Sequence, residues 1–220
     1  MLNLLLCLSV VAMLMDLNEV YEDLVAGVRN SDEHTVRRII ETCRAASNHN
    51  LQQLLHIAIK NDDIGVVQSL LRYRIDVMHE DGEGHRTIHV AAQYGNSCIV
   101  KSVINAGSPI NIVDGRGIGA LHMCLENNHD AAAMMLIREG ATVNRPRRYD
   151  NGEAPMHIAA KLGMNEVLQL MILKGGDVNL MSGDRSTPLH LAVKEKHART
   201  VQLLCEAGGN VNIFNAKGMI

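Results

Sequence analysis

Aromatic residues are almost absent from this sequence: among 220 residues there is no Trp, one Phe and four Tyr, or 2% aromatics. The core must therefore be aliphatic, and 47% apolar residues are enough to build one. Surfaces that bind unpaired nucleic-acid bases need aromatic rings for stacking. A formal net charge of −3 gives no general attraction to phosphate backbones. Both observations argue against a nucleic-acid-binding protein.

Cysteine is also sparse and irregularly placed. The cysteines are odd in number and form no C-x-x-C pair, which supports neither a disulfide framework nor a zinc ribbon. Their sequence neighbours are mostly apolar, so we expect reduced thiols, most of them buried in helices, in a protein of the cytoplasm or nucleus. The five are Cys7, Cys43, Cys98, Cys124 and Cys205.

Motifs that would indicate catalysis or cofactor binding are missing as well. The sequence has neither a G-x-x-x-x-G-K-[ST] phosphate loop nor a G-x-G-x-x-G turn between a strand and a helix. No Ser or Cys stands out as a nucleophile beside a base. The run His79–His85 has the spacing of neither a zinc-protease helix nor a calcium loop, which leaves a solvated loop or a weak cation site. We expect no enzymatic activity, no cofactor and no resident metal.

The most apolar stretch is the segment 1–15, MLNLLLCLSVVAMLM. It lacks the basic start and the cleavage site of a signal peptide, and it is short for a transmembrane helix. Three interpretations stay open: a signal or membrane anchor, an extra helix on the domain that follows, or an upstream extension of the reading frame with Met13 or Met15 as the working start. Only the first would make the protein secreted or membrane-associated.

A repeat runs through the rest of the chain. Histidines recur at intervals of 33, 33, 35 and 33 residues, at His56, His89, His122, His157 and His190. From each of the last four His, a Gly follows after 18 residues, an Ile or Val after 21 and an Asn after 22. The asparagines are Asn111, Asn144, Asn179 and Asn212. Agreement at several positions over several copies is typical of a stacked repeat protein.

Each repeat reads as two short helices and a loop. Thr187 caps a helix start, and Pro188 occupies the first helical position, where a missing N–H costs nothing. A second apolar helix follows and ends at a Gly in the left-handed conformation. A single repeat cannot bury its own apolar faces, so the repeats must stack. The histidines, one per repeat, predict a ladder of separate hydrogen bonds rather than a metal site or a catalytic group.

These residues resemble the ankyrin repeat family. Residues 187–192, Thr-Pro-Leu-His-Leu-Ala, match the T-P-L-H-x-A motif of that family, and looser matches occur at 86–92, 119–122 and 154–160. The pairs Asp81/Gly84 and Asp114/Gly117 match the family's turn opening. The resemblance implies an all-α solenoid of helix-turn-helix units joined by short β-hairpin-like loops.

The repeats set the domain boundaries that we expect. A degenerate capping unit at 16–47 precedes five repeats, at 48–80, 81–113, 114–148, 149–181 and 182–214. Residues 215–220 begin a further repeat in phase, so we expect a fragment that stops inside a repeat. We also expect a monomer, unless the open face of the last complete repeat associates.

The resemblance implies a non-enzymatic protein that binds a partner protein through loop fingertips and inner helices. The fingertip positions in this chain are Glu83, His85, Arg116, Ile118, Asn151, Glu153, Asp184 and Ser186. The inner-helix positions are Lys60, Gln93, Tyr94, Glu126, Lys161, Leu162, Lys194 and Glu195. Two alternatives stay open. One is the ankyrin region of a larger protein, such as a channel, a ubiquitin-ligase adaptor or a transcription-factor inhibitor. The other is a secreted or membrane-acting effector similar to the latrotoxins.

One loop breaks the period. The interval of 35 residues contains Arg145-Pro146-Arg147-Arg148-Tyr149, which we interpret as a lengthened loop outside the stacked core. Insertions in repeat proteins map to loops, often on the binding face. Guanidinium groups pair with carboxylates and phosphates, so Arg145, Arg147, Arg148 and Tyr149 predict an acidic or phosphorylated protein partner. A solvated loop without function is the alternative.

Overall fold

The computed structural model describes residues 16–219, and the hypotheses on the apolar segment 1–15 lie outside the described residues. The chain divides into two compact units, unit 1 ending at Ser108 and unit 2 beginning at Pro109. Every regular element in the described part is a helix, apart from one isolated antiparallel bridge between Val113 and Gly119. None of these helices is both long enough and apolar enough to cross a membrane. The all-α prediction is therefore confirmed.

The described part of each unit contains three helix pairs. Those of unit 1 are α1 (Leu17–Arg29) with α2 (Glu33–Ala46), α3 (Asn48–Lys60) with α4 (Ile64–Arg72), and α5 (Thr87–Tyr94) with α6 (Ser97–Asn105). Those of unit 2 are α7 (Ala120–Glu126) with α8 (Asp130–Arg138), α9 (Pro155–Leu162) with α10 (Asn165–Leu173), and α11 (Pro188–Lys194) with α12 (Ala198–Glu206). Within a unit, the first helix of a pair packs on the first helix of the next pair.

A histidine caps the first helix of four pairs. The N–H of the residue before the helix donates to Nδ1 of the His at the third helical position, over 3.0 to 3.3 Å. This bond satisfies an N–H group that a helix start would otherwise leave unbonded, and it places the ring proton on Nε2. From Nε2, His157 donates to the carbonyl of Ser186 and His190 to that of Met219, both at 3.1 Å. The four capping residues are His89, His122, His157 and His190.

His56 departs from this pattern and corrects the expectation that it belongs with the other four. Helix α3 begins at Asn48, where the Ser47 hydroxyl accepts from the N–H of His49 at 3.0 Å. His56 therefore lies in the middle of the helix and caps nothing. Residues 51–55 before His56 are good helix formers, and no Pro or Gly interrupts the segment 48–55. The helix extends back until a Ser cap is reached.

The core of each unit is aliphatic, as the composition requires. Met171 is buried and fills the core, whereas Met134 and Met135 are half-buried. Burying one such aliphatic side chain contributes about 1.5–3 kcal/mol to folding. Fully buried residues include Leu54 and Ile99 in unit 1 and Leu125 and Leu136 in unit 2.

The described cysteines divide equally between core and surface, and all four are free thiols. Cys43 and Cys124 are buried, and burial raises the pKa of both thiols, that of Cys124 to about 12. Cys98 and Cys205 are exposed, so the expectation that most of the thiols are buried is wrong for these two. Cys7 lies outside the described residues.

The repeated asparagine joins each repeat of unit 2 to the next. Its Oδ1 accepts a backbone N–H of the following repeat over 2.7 to 2.8 Å, and its Nδ2 donates to the carbonyl of a Gly there over 3.1 Å. The bridges run from Asn111 to Thr142 and Gly140, from Asn144 to Asp177 and Gly175, and from Asn179 to Asn210 and Gly208. An amide side chain offers a donor and an acceptor together, which explains how Asn111, Asn144 and Asn179 each bind both groups of the following repeat.

We expect Asn144→Ala to lower the free energy of unfolding by about 1–2 kcal/mol, because two hydrogen bonds between repeats are lost. Asn212→Ala is the matched control, since the Asn212 amide makes no such bridge within the described residues. That control should stay within about 0.5 kcal/mol of the unchanged chain. Urea unfolding of all three proteins measures both values, and equal destabilisation by the two substitutions would contradict the bridging role.

Candidate interaction surface

Within the described residues, four loops between helix pairs and one loop after the last pair are each closed by one backbone hydrogen bond, and we call them fingers. The N–H of the first residue donates to the carbonyl of the last, over 2.9 Å in the unit 1 finger Asp81–His85. The unit 2 fingers are Asp114–Ile118 (2.9 Å), Arg147–Glu153 (3.3 Å), Ser182–Ser186 (2.9 Å) and Asn215–Met219 (3.0 Å). Arg147–Glu153 is two residues longer than the others.

An acidic or amide side chain organises three of the short fingers from inside. The Oδ1 of Asp114 accepts from the N–H of Arg116 at 2.9 Å and from that of Ile118 at 2.8 Å. Asp81 and Asn215 make the same two bonds in their own fingers. A carboxylate used in this way turns into the loop, so its charge is not presented at the tip.

Asp184 organises the finger Ser182–Ser186 from inside in a similar way. Its Oδ1 accepts from the Ser182 hydroxyl at 2.7 Å and from the Ser186 N–H at 3.1 Å. Hydrogen bonds from the side chains of Asn151 and Ser182 hold the pKa of this carboxyl well below its usual range. The carboxylate is therefore ionised and already occupied by donors of its own unit.

Arg147 stands at the first position of its finger, where the other fingers have Asp, Ser or Asn. The two extra residues consequently lie between Arg147 and Glu153, and not within the segment 145–149 as the sequence suggested. The part of this finger before Glu153 is a 3-10 turn at Asp150–Gly152, in which Asn151 takes a positive φ of 65°. Arg145 keeps the register of the regular repeats, directly after Asn144.

The side chain of Arg147 is buried, with only 7% of it exposed. One guanidinium nitrogen is 2.6 Å from Oε1 of Glu126, and another is 3.7 Å from Oε2 of Glu153. Glu153 also lies 3.7 Å from the Nζ of Lys161. The expectation that this loop lies outside the stacked core is therefore wrong for Arg147, because its charge is paired within unit 2.

Backbone hydrogen bonds fix the unit 2 fingers relative to one another. The Arg148 N–H donates to the carbonyl of Arg116 at 3.1 Å, and the Gly183 N–H to that of Asn151 at 2.6 Å. A third bond joins the Ala216 N–H to the Asp184 carbonyl at 2.8 Å. Fingers held in this way present their side chains at fixed positions.

The structure places the expected fingertip residues at different depths. Ile118 and Ser186 are buried, which corrects their assignment to the surface, and only 12% of the Glu153 side chain is exposed. His85 and Asp184 are half-buried. Glu83, Arg116 and Asn151 are exposed.

The lengthened finger presents Tyr149, which is 63% exposed, next to the exposed Arg148. Arg145 is exposed too and donates to the Asn111 carbonyl at 3.2 Å. The expected inner-helix positions are all exposed, including Leu162 and, in unit 1, Tyr94. An exposed tyrosine beside an exposed arginine suits a protein-binding surface.

The unit 1 finger Asp81–His85 carries carboxylates where the lengthened finger carries arginines. His85 lies between two carboxylates, its Nδ1 3.8 Å from Asp81 and 3.6 Å from Glu83. The ring of His79 packs edge-on against that of His49, with 5.9 Å between centroids. No group of three His, Cys, Asp or Glu side chains among residues 16–219 is placed to hold a metal ion. The weak cation site considered for the run His79–His85 therefore finds no ligand set there.

Burial holds two of the capping histidines in the neutral form. It lowers the pKa of His122 to about 4, and the neighbouring charge of Arg147 acts in the same direction. The pKa of His157 is also lowered by burial, against the opposing effect of its hydrogen bond to Ser186. A neutral ring with Nδ1 as acceptor is the form that caps the helix.

Comparison with known proteins places these observations in a family. A family model described as "Ankyrin repeats (3 copies)" matches residues 88–182 and residues 156–219, which together make up more than half of the chain. No curated protein gives a significant match. The matched residues hold four of the five fingers and both ends of every asparagine bridge in unit 2.

We expect Arg147→Ala to lower the free energy of unfolding by about 1–3 kcal/mol, because it removes the buried guanidinium that pairs with Glu126 and leaves the mostly buried Glu153 with Lys161 and without Arg147. The adjacent Arg148→Ala is the matched control, and it should change stability by less than about 0.5 kcal/mol since that side chain is exposed. Urea denaturation at neutral pH distinguishes the two. If both variants were as stable as the unchanged chain, the ion pairs of Arg147 would have no structural role.

Stability should also fall in acid because of His122. Its pKa is about 4 in the folded state and 6.5 in the unfolded chain, so the unfolded state binds the proton more tightly and acid favours unfolding. The contribution is present above pH 6.5 and should have decreased by about 1 kcal/mol at pH 5.5. Unfolding curves across this range measure the loss. His122→Gln should lose less stability over the same interval, whereas an unchanged slope would contradict the assignment.

Proposed function

The chain belongs to the ankyrin repeat family, and from this premise we propose that it is a non-enzymatic module that binds a partner protein through its fingers and inner helices. Ankyrin repeats are in general protein–protein interaction modules, and domains built from them are typically non-enzymatic.

The observation that carries the proposal is the exposure of Tyr149 on a rigid support. Tyr149 is 63% exposed, so a partner that covers its ring would bury a large apolar area. Burial of such a ring contributes strongly to the free energy of binding. Its finger is fixed from below by the ion pairs of Arg147 and from both sides by backbone bonds to Arg116 and Gly183. A preorganised loop loses little conformational entropy on binding.

Two apolar side chains on the first helices of unit 2 are exposed as well. Leu162 at the end of α9 is 39% exposed, and Val193 near the end of α11 is 52% exposed. Lys161 and Lys194 stand beside them and are exposed as well. Apolar side chains surrounded by charged ones resemble the centre and rim of a protein interface.

The test compares two variants in quantitative capture of partners from source cells. Tyr149→Ala with Leu162→Ala removes two exposed apolar groups from the proposed surface. Leu173→Ala is the control, because this side chain is 77% exposed on the second helix of the same pair. All three substitutions affect exposed groups, so each variant should remain folded in a thermal melt.

We expect at least one identified protein to bind the unchanged chain and the Leu173→Ala variant, and to lose about tenfold or more of its affinity for the double variant. Purified partner and isothermal titration then give the affinities. If every captured protein bound the three chains equally, the assignment of binding to the fingers and inner helices would be wrong.

A further inference from the structure

The four fingers of unit 2 each carry an exposed cationic side chain: Arg116, Arg148, Arg185 and Lys217, in chain order. Arg145 is exposed at the base of the second finger. We call these five residues the cationic finger row. No carboxylate among the described side chains is within ion-pairing distance of Arg145, Arg148 or Arg185. Of these five residues, the sequence indicated Arg116, Arg145 and Arg148, and it passed over Arg185 and Lys217.

Among the described side chains of these fingers, the carboxylates of Asp114, Glu153 and Asp184 are occupied by donors of unit 2. Asp114 is 5% exposed and accepts backbone N–H groups inside its loop. Glu153 is paired with Arg147 and Lys161, and Asp184 is held by hydroxyl and amide donors. The row therefore presents positive charge at the tips although the whole chain has a formal net charge of −3.

The spacing of the row is fixed. Backbone hydrogen bonds join each finger to the next, through Arg148 to Arg116, Gly183 to Asn151 and Ala216 to Asp184. Packed helices lie about 8–10 Å apart, so successive fingers stand roughly 10 Å from one another. An extended polypeptide advances about 3.4 Å per residue, which brings every third side chain to the next finger.

We propose that the cationic finger row is the docking surface for an extended acidic segment of a partner polypeptide, an inference that rests on the protein-binding function proposed above. A segment of about ten residues spans the four fingers. Each Arg fork binds a carboxylate through two parallel hydrogen bonds. Tyr149, beside Arg148, provides the aromatic anchor of the contact.

The geometry favours a polypeptide over other anionic partners. One exposed Tyr on the fingers offers no series of rings on which successive nucleic-acid bases could stack. An anionic membrane attracts basic clusters according to their number of charges and not their spacing. An exposed cation on each of four regularly spaced fingers, with Arg145 added at the base of the second, is the arrangement expected for a chain that crosses the fingers in turn.

The test uses the full chain and a synthetic ten-residue peptide with Glu at every third position, compared with the same peptide carrying Gln. The variant Arg148→Glu with Arg185→Glu reverses two charges of the row. The variant Lys174→Glu with Arg199→Glu reverses two exposed cations outside the fingers, so the two variants have equal net charge. Titration at low and high salt gives the affinities, and thermal melts verify that both variants are folded.

We expect the Glu peptide to bind at low salt and the Gln peptide not to bind. Reversing Arg148 and Arg185 should weaken binding by about tenfold or more, and the control by less than about twofold, with the difference shrinking as salt rises. Absence of binding, or equal weakening by both variants, would overturn the inference. Tighter binding of a single-stranded oligonucleotide or of phosphatidylserine vesicles, lost on reversal of the row, would overturn the assignment to a polypeptide.

Failure here is distinguishable from failure of the proposed function. Tyr149→Ala with Leu162→Ala tests whether the fingers and inner helices bind any protein, whatever its charge. A partner that is lost in that variant and unaffected by the reversal of Arg148 and Arg185 would retain the binding function and reject the acidic segment.

Discussion

The paired hydrogen bonds between an asparagine amide and the next repeat fix the geometry on which the rest of unit 2 depends. Asn111, Asn144 and Asn179 each bind one N–H and one carbonyl of the following repeat. A short helix pair has little apolar surface of its own to bury. These directional bonds therefore set the register of stacking, which the non-directional apolar contacts do not fix by themselves.

The fixed register of the repeats determines where the lengthened finger places its two extra residues. Its first residue follows Asn144 by the same number of positions as in the regular repeats, and its last residue leads into the capped helix α9. Both ends are thus in place, and the additional residues are accommodated at the tip as the turn Asp150–Gly152. Arg147 is held at the base, where Glu126 and Glu153 are within reach.

The distribution of charge follows from the same arrangement. Carboxylates near the base of a finger are used by backbone N–H groups, hydroxyl groups or Arg147, and long cationic side chains further along extend into solvent. A net charge counted over the whole chain averages these two populations and conceals the difference between them. The surface that a partner meets is therefore set by which charges the loops consume internally.

Much of the fold was predictable because its determinants are local. Helix caps, left-handed glycines and loop asparagines act within a few residues of their own position, so the period of the sequence predicted the helix pairs. His56 was misplaced because the start of a helix depends on the whole preceding segment. His56 lies in register with the other four histidines in the sequence. The helix nevertheless begins earlier, with Ser47 as its N-cap, so His56 lies inside it.

The candidate surface was predicted only in part, and the neighbours Arg147 and Arg148 show why. They are the same residue type in the same loop, and no local rule separates them. Arg147 is buried because Glu126, 21 residues earlier, lies within 2.6 Å once the repeats are stacked, whereas Arg148 faces solvent. By itself the sequence determined the repeats, their caps and their register, through contacts between residues close in the chain. Only the tertiary structure decided which charges are paired and which are displayed, because an ion pair depends on distances between groups far apart in the chain.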